Sequence, residues 1–111
     1  MTNLSWNEVR DRAIQFSREW EGEACESASA QTFWNEFFAV FGRARRTVAA
    51  FEVAVKSLHG DYNYIDLLWP ERVLFEMKSR GKKLERHYDQ IFDYWTHIVP
   101  HRPPYVILCN F

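Results

Sequence analysis

Three charged residues of this sequence stand where polar side chains could act together: Asp66, Glu76 and Lys78. Asp66 lies between the apolar residues Ile65 and Leu67 in an extended-looking run. Glu76 and Lys78 lie two apart in another, so in a strand both project from one face. If the two runs pair through a tight turn at Pro70-Glu71, Asp66 falls beside Glu76, and two carboxylates meet one ammonium. Such a set suits a hard divalent cation, which takes one or two carboxylates and fills its remaining positions with water and phosphate oxygens. A cation held there polarises a phosphodiester and acidifies a bound water, while Lys78 positions that water and offsets developing negative charge. The same spacing also describes charged side chains on the solvent face of a half-exposed strand, and spacing alone leaves both readings open.

The elements that must position these residues follow from periodicity. Ser5-x-x-Glu8 has the form of a capping box, and Trp6, Val9, Ala13, Phe16 and Trp20 follow at helical spacing up to Gly22. Glu23 to about Ala30 reads as a polar connection. The aromatic run from Phe33 to Phe41 reads as a buried helix ended by Gly42. From Thr47 to Val55 the period falls to two, which predicts a strand, and His59-Gly60-Asp61 predicts a turn. Tyr62–Trp69 and Val73–Lys78 predict two further strands, the latter with Val73, Phe75 and Met77 on one face. Gly81 then precedes a helix with an apolar stripe of Leu84, Tyr88, Ile91, Trp95 and Ile98. Pro100, Pro103 and Pro104 interrupt it, and Tyr105–Cys109 reads as a fully buried strand. A helix crossing over to a last strand beside a three-strand meander predicts an α/β fold with a mixed sheet and flanking helices.

Composition narrows the function classes. The 111 residues are 47% hydrophobic and 17% aromatic, enough for one packed domain and unlike a disordered chain. The net charge of −1 argues against a protein that coats nucleic acid indiscriminately. The distribution is uneven, however: Lys78, Arg80, Lys82, Lys83 and Arg86 cluster, and Arg43, Arg45 and Arg46 form a second knot. These could neutralise backbone phosphates or form a solvated face. No apolar run is long enough to span a bilayer, and no secretory pattern opens the chain, so a cytoplasmic protein with no membrane partner is expected. Cys25 and Cys109 lack metal spacing and read as free thiols, with one long-range disulfide as the alternative.

Asp66, nine residues, then Glu76-Met77-Lys78 resembles the signature of the PD-(D/E)xK nuclease superfamily, with Ile65 where the usual proline stands. Gln90-x-x-x-Tyr94 is similar to a motif of its RecB-like members, and one-turn spacing puts the two side chains on one helix face. From Phe33-Trp34-Asn35-Glu36-Phe37-Phe38 through Arg45-Arg46, Phe51-Glu52 and Ile65-Asp66-Leu67 to Glu76-x-Lys78-Ser79-Arg80-Gly81-Lys82, the chain looks like the N-terminus of MmeI-like enzymes. These are restriction–modification proteins with a nuclease fused to an adenine-specific DNA methyltransferase.

The resemblance implies a restriction-endonuclease-like core over residues 43–111, preceded by an N-terminal helical part over 1–42. It implies Mg²⁺, with Mn²⁺ able to substitute, held by Asp66 and Glu76. Lys78 and Gln90 join them as catalytic residues, and Arg80, Lys82, Lys83 and Tyr94 contact double-stranded DNA. Glu36 and Glu52 are candidate auxiliary acids, with ion pairs to Arg45 or Arg46 as their structural alternative. Cleavage of both strands would call for self-association. The methyltransferase, its S-adenosylmethionine and the sequence-reading part are expected in a longer parent protein. The competing expectation is a non-catalytic DNA-docking or protein-interaction module.

Overall fold

The computed structural model describes residues 3–24, 26–56, 60, 62–98 and 102–111. The first helix, α1 (Trp6–Glu19), starts as its capping residue dictates. The Ser5 hydroxyl accepts the Glu8 amide at 3.1 Å, satisfying one of the helix's unpaired donors. Its apolar stripe is used only at one end. Phe16 and Trp20 pack on Phe33, with ring centroids 5.0 and 5.3 Å away, whereas Trp6 is 84% exposed.

The second helix, α2 (Glu26–Val40), begins within the stretch to about Ala30 that periodicity reads as a connection. The Ser27–Gln31 stretch carries no apolar stripe, yet its alanines favour helix, and the helix seated behind it draws these residues in. The chain leaves α2 at Gly42, whose φ of +77° suits glycine, and the Leu4 side chain lies 3.0 Å from where a Cβ would stand.

Four strands follow in the spatial order β1-β2-β3-β4: β1 (Ala50–Lys56), β2 (Tyr62–Trp69), β3 (Val73–Lys78) and β4 (Tyr105–Asn110). The first three pair antiparallel and β4 runs parallel to β3, making the mixed sheet that the crossover predicts. Thr47, expected in the first strand, instead ends a 3₁₀ turn at Arg45–Thr47. The connection from β2 to β3 is a tight turn in which the Arg72 amide donates to the Trp69 carbonyl at 3.0 Å. Pro70 sets its first corner and Glu71, with φ +66°, its second. Of the turn expected at His59-Gly60-Asp61 only Gly60 belongs to the described residues.

Both sheet faces are covered. α2 lays Trp34 and Phe38 on one face, against Leu67, Phe75 and Met77, so the N-terminal helical part and the sheet share one core. On the other face α3 (Tyr88–Thr96), entered through a 3₁₀ turn at Leu84–His87, sets Ile91 and Tyr94 against Ile65, Leu68 and Leu74. The buried aromatic of α3 is therefore Tyr94 rather than the expected Tyr88, which is exposed. β4 also departs from expectation. It is an edge strand, and Tyr105, Val106 and Ile107 are exposed, because only β3 flanks it. Among the described residues no helix is long and apolar enough to cross a membrane.

Strict side-chain alternation fails at one place. Phe51 and Leu67 pack on the α2 side, yet Val53 and Ile65, each two residues away, pack on the α3 side. The reversal falls at Glu52 and Asp66. They stand opposite each other between the pairs Phe51↔Leu67 and Val53↔Ile65 without pairing themselves, and Glu52 has φ +53°.

Candidate functional site

The β2–β3 ladder closes with Leu67↔Phe75, and the next opposed residues are Asp66 and Glu76. Here carboxylates take over from carbonyls. The Asp66 amide donates to Glu76 Oε1 at 3.0 Å, and the Met77 amide donates to Asp66 Oδ2 at 2.8 Å. Glu76 is 4% exposed and the only charged residue among the described ones to be buried. Burial pushes its carboxyl up to about 8, and the charge of Asp66 acts the same way. The hydrogen bond from the Asp66 backbone amide and the Lys78 ammonium pull it down without winning, and a side-chain hydrogen bond with Asp66 adds to the rise.

The donor set fits a divalent cation. One oxygen of each carboxylate is held by a backbone amide, which leaves Asp66 Oδ1 and Glu76 Oε2 as donors. Two neighbouring like charges, with Glu76 buried and Asp66 half-buried, are relieved when a cation supplies the missing positive charge. Among the described residues no three His, Cys, Asp or Glu side chains converge on a metal position, so the site offers two carboxylates.

Lys78, on the same face of β3, brings Nζ to 4.0 Å from Glu76 Oε2 and donates to Gln90 Oε1 at 3.2 Å. Gln90 Nε2 in turn donates to the Tyr94 hydroxyl at 2.9 Å. One helical turn separates Gln90 from Tyr94, so α3 presents both toward the sheet. Tyr94, expected at DNA, is instead buried against the sheet, and burial together with the negative charges of Glu76 and Asp66 pushes its hydroxyl pKa up. The five residues form one connected chain: Asp66, Glu76, Lys78, Gln90, Tyr94.

Other predicted residues lie elsewhere. Glu36 sits in the groove between α1 and α2 with Arg12, Gln15 and Glu19. α2 covers the sheet face opposite Glu76, so Glu36 does not join the carboxylate pair. Glu52 is exposed and adds no third metal donor. Neither acid pairs with Arg45, which instead donates to Asn35 Oδ1 and the Ala49 carbonyl and stacks on Phe51 at 4.1 Å.

Arg80, expected at phosphate, donates three hydrogen bonds to the Glu21 and Glu23 carbonyls, pinning the α1–α2 connection to the end of β3. Lys82 and Lys83 are exposed in the loop after Gly81, where Asn110 Nδ2 donates to the Lys82 carbonyl at 2.8 Å. Cys109 is a free thiol, and Cys25 lies outside the described residues. Sequence reading missed the amides of Asp66 and Met77, because main-chain groups leave no trace in residue type.

The family model for the MmeI N-terminal domain matches residues 11–111. The chain belongs to the MmeI N-terminal domain family. No curated protein and no solved structure matches it. As a member of the MmeI family, the chain belongs with the N-terminal domains of restriction–modification enzymes. All five residues of the connected chain, with Lys82 and Lys83, fall within the matched segment.

Proposed function

We propose that this domain is a Mg²⁺-dependent endonuclease of the PD-(D/E)xK type that hydrolyses phosphodiester bonds of double-stranded DNA. It works within a restriction–modification enzyme whose adenine-specific methyltransferase, with its S-adenosylmethionine, lies elsewhere in the parent protein. The observation that carries this reading is the reciprocal bonding of Asp66 and Glu76 with Lys78 alongside.

Asp66 and Glu76 hold the metal, each kept in place by a backbone amide and therefore preorganised. Mg²⁺, when bound, polarises the scissile phosphate and lowers the pKa of a coordinated water. The Lys78 ammonium, tethered by Gln90, orients the attacking water and offsets the negative charge that grows as the phosphorus gains its fifth oxygen. Tyr94 fixes the Gln90 amide from below, and Lys82 and Lys83 meet DNA phosphates without reading sequence. The aliphatic wall of Ile65, Leu68 and Leu74 keeps the local dielectric low, which strengthens each of these interactions.

A plasmid-nicking assay with Mg²⁺ or Mn²⁺ tests the proposal. The chain relaxes supercoiled DNA only with metal, and Lys78→Ala abolishes the cut. Metal-dependent cleavage that survives Lys78→Ala overturns the role given to Lys78. A domain that binds neither Mn²⁺ nor DNA is a protein-interaction module instead.

A further inference from the structure

Among the described residues, two other than glycine have positive φ: Glu52 at +53° and Glu71 at +66°. Glu71 occupies the second corner of the turn from Trp69 to Arg72, where that conformation is required. Glu52 has no turn to account for it. It lies inside β1, directly across from Asp66, in a conformation that costs an ordinary L-residue about 1 kcal/mol or more.

Three observations coincide there. The β1–β2 pairing is interrupted at Glu52 and Asp66 and resumes on both sides in unchanged register. Side-chain alternation reverses at the same two residues, sending Val53 and Ile65 to the α3 face while Phe51 and Leu67 remain on the α2 face. The Asp66 amide points to a carboxylate of β3 and not into a strand ladder. A straight β1 would pair with Asp66 and carry the regular alternation through it. Ile65 and Leu67 would then share a face, and the Asp66 backbone would turn from the orientation that meets Glu76.

We infer that the left-handed backbone of Glu52 is a positioning device for the site: it kinks β1 and β2 together and so aims Asp66 at Glu76. The role belongs to the main chain of Glu52, not to its exposed carboxylate. It rests on the metal-binding reading of Asp66 and Glu76 and adds to that pair a residue on the neighbouring strand.

The test exploits how differently residues tolerate this conformation. Glycine and asparagine adopt it readily, alanine less so, and β-branched valine worst. Mn²⁺ affinity is titrated by electron paramagnetic resonance on Glu52→Gly, Glu52→Asn, Glu52→Ala and Glu52→Val, with circular dichroism to check the fold. Glu52→Gly and Glu52→Asn retain the parent affinity although the carboxylate is gone. Glu52→Ala, whose Cβ meets the backbone as that of glutamate does, stays near the parent, whereas Glu52→Val weakens Mn²⁺ binding by about tenfold or more, the loss typical when a ligand's support is removed. Should the valine variant fail to fold, Glu52→Thr, also β-branched, takes its place beside the glycine variant.

Loss of affinity in Glu52→Gly overturns the inference and makes the carboxylate itself the active group. Equal affinity in the alanine and valine variants overturns it too. Asp66→Ala, run in parallel, separates the two readings. If Asp66→Ala binds Mn²⁺ like the parent, the metal site itself fails. If Asp66→Ala loses binding while Glu52→Val keeps it, only the role of Glu52 fails.

Discussion

Asp66 and Glu76 are each held by the other's strand: the Asp66 amide donates to the Glu76 carboxylate, and the amide following Glu76 donates to Asp66. Two carboxylates are thereby fixed side by side, Glu76 buried and Asp66 half-buried, where they repel. That arrangement is costly without a cation and useful with one.

The first consequence concerns metal. Asp66→Asn keeps an oxygen for the Met77 amide but loses the charge, so the fold survives while Mn²⁺ binding and cleavage fall by about a hundredfold or more. Isothermal titration with Mn²⁺ and a nicking assay read the two effects. Unchanged Mn²⁺ affinity in Asp66→Asn removes Asp66 from the metal site.

The second concerns pH. The Glu76 carboxyl rises from 4.5 to about 8 on folding. A raised carboxyl contributes stability that is fully present below the unfolded value and is lost as pH climbs through the folded one. Metal-free protein therefore loses stability between pH 4.5 and 8, by on the order of a few kcal/mol. Glu76→Gln flattens that slope, and Mg²⁺ at pH 8 restores stability to the parent chain only. Urea denaturation at pH 5, 6.5 and 8 measures this, and parallel slopes for parent and Glu76→Gln would contradict it.

The third separates Lys78 from the carboxylates. Removing its ammonium takes a positive charge from beside the cation, so Lys78→Ala binds Mn²⁺ as well as or better than the parent while cleaving about a hundredfold more slowly or worse. Tyr94→Phe leaves the Gln90 amide with one partner fewer. It costs about 1 kcal/mol of stability and a smaller, roughly tenfold, part of the cleavage rate. Weaker Mn²⁺ binding in Lys78→Ala would make the lysine a structural partner of Glu76.

The fourth divides the basic loop. Arg80→Ala breaks the hydrogen bonds to Glu21 and Glu23 and costs about 1–2 kcal/mol of stability, with the salt dependence of DNA binding unchanged. Lys82→Ala combined with Lys83→Ala leaves stability alone and lowers the slope of log affinity against log salt by about 2, one for each phosphate contact. A thermal melt and a fluorescence-anisotropy salt series distinguish the two. The reverse pattern would return Arg80 to the DNA surface.

Residue order alone determined much of this protein. Period-two runs with turn residues between them marked the antiparallel strands, and the crossover through a helix implied the parallel fourth. The pairs Glu76–Lys78 and Gln90–Tyr94 were legible because their spacings, two along a strand and four along a helix, are local geometry, and Asp66 followed from pairing across the Pro70-Glu71 turn.

What lay beyond local spacing was decided by tertiary packing. Ser27–Gln31 joins α2 because the aromatic half of that helix is anchored on the sheet. β4 is apolar yet exposed, since strand order and not composition makes it an edge. Glu36 and Arg80 have the right charges, but α2 lies on the wrong face for the one and the Glu21 and Glu23 carbonyls engage the other. The kink at Glu52 and the amides that clamp Asp66 and Glu76 belong to the main chain, whose direction no side-chain pattern encodes. Residue types named the chemistry; the burial and backbone direction that set its electrostatics arise only when β1, β2, β3 and α3 meet.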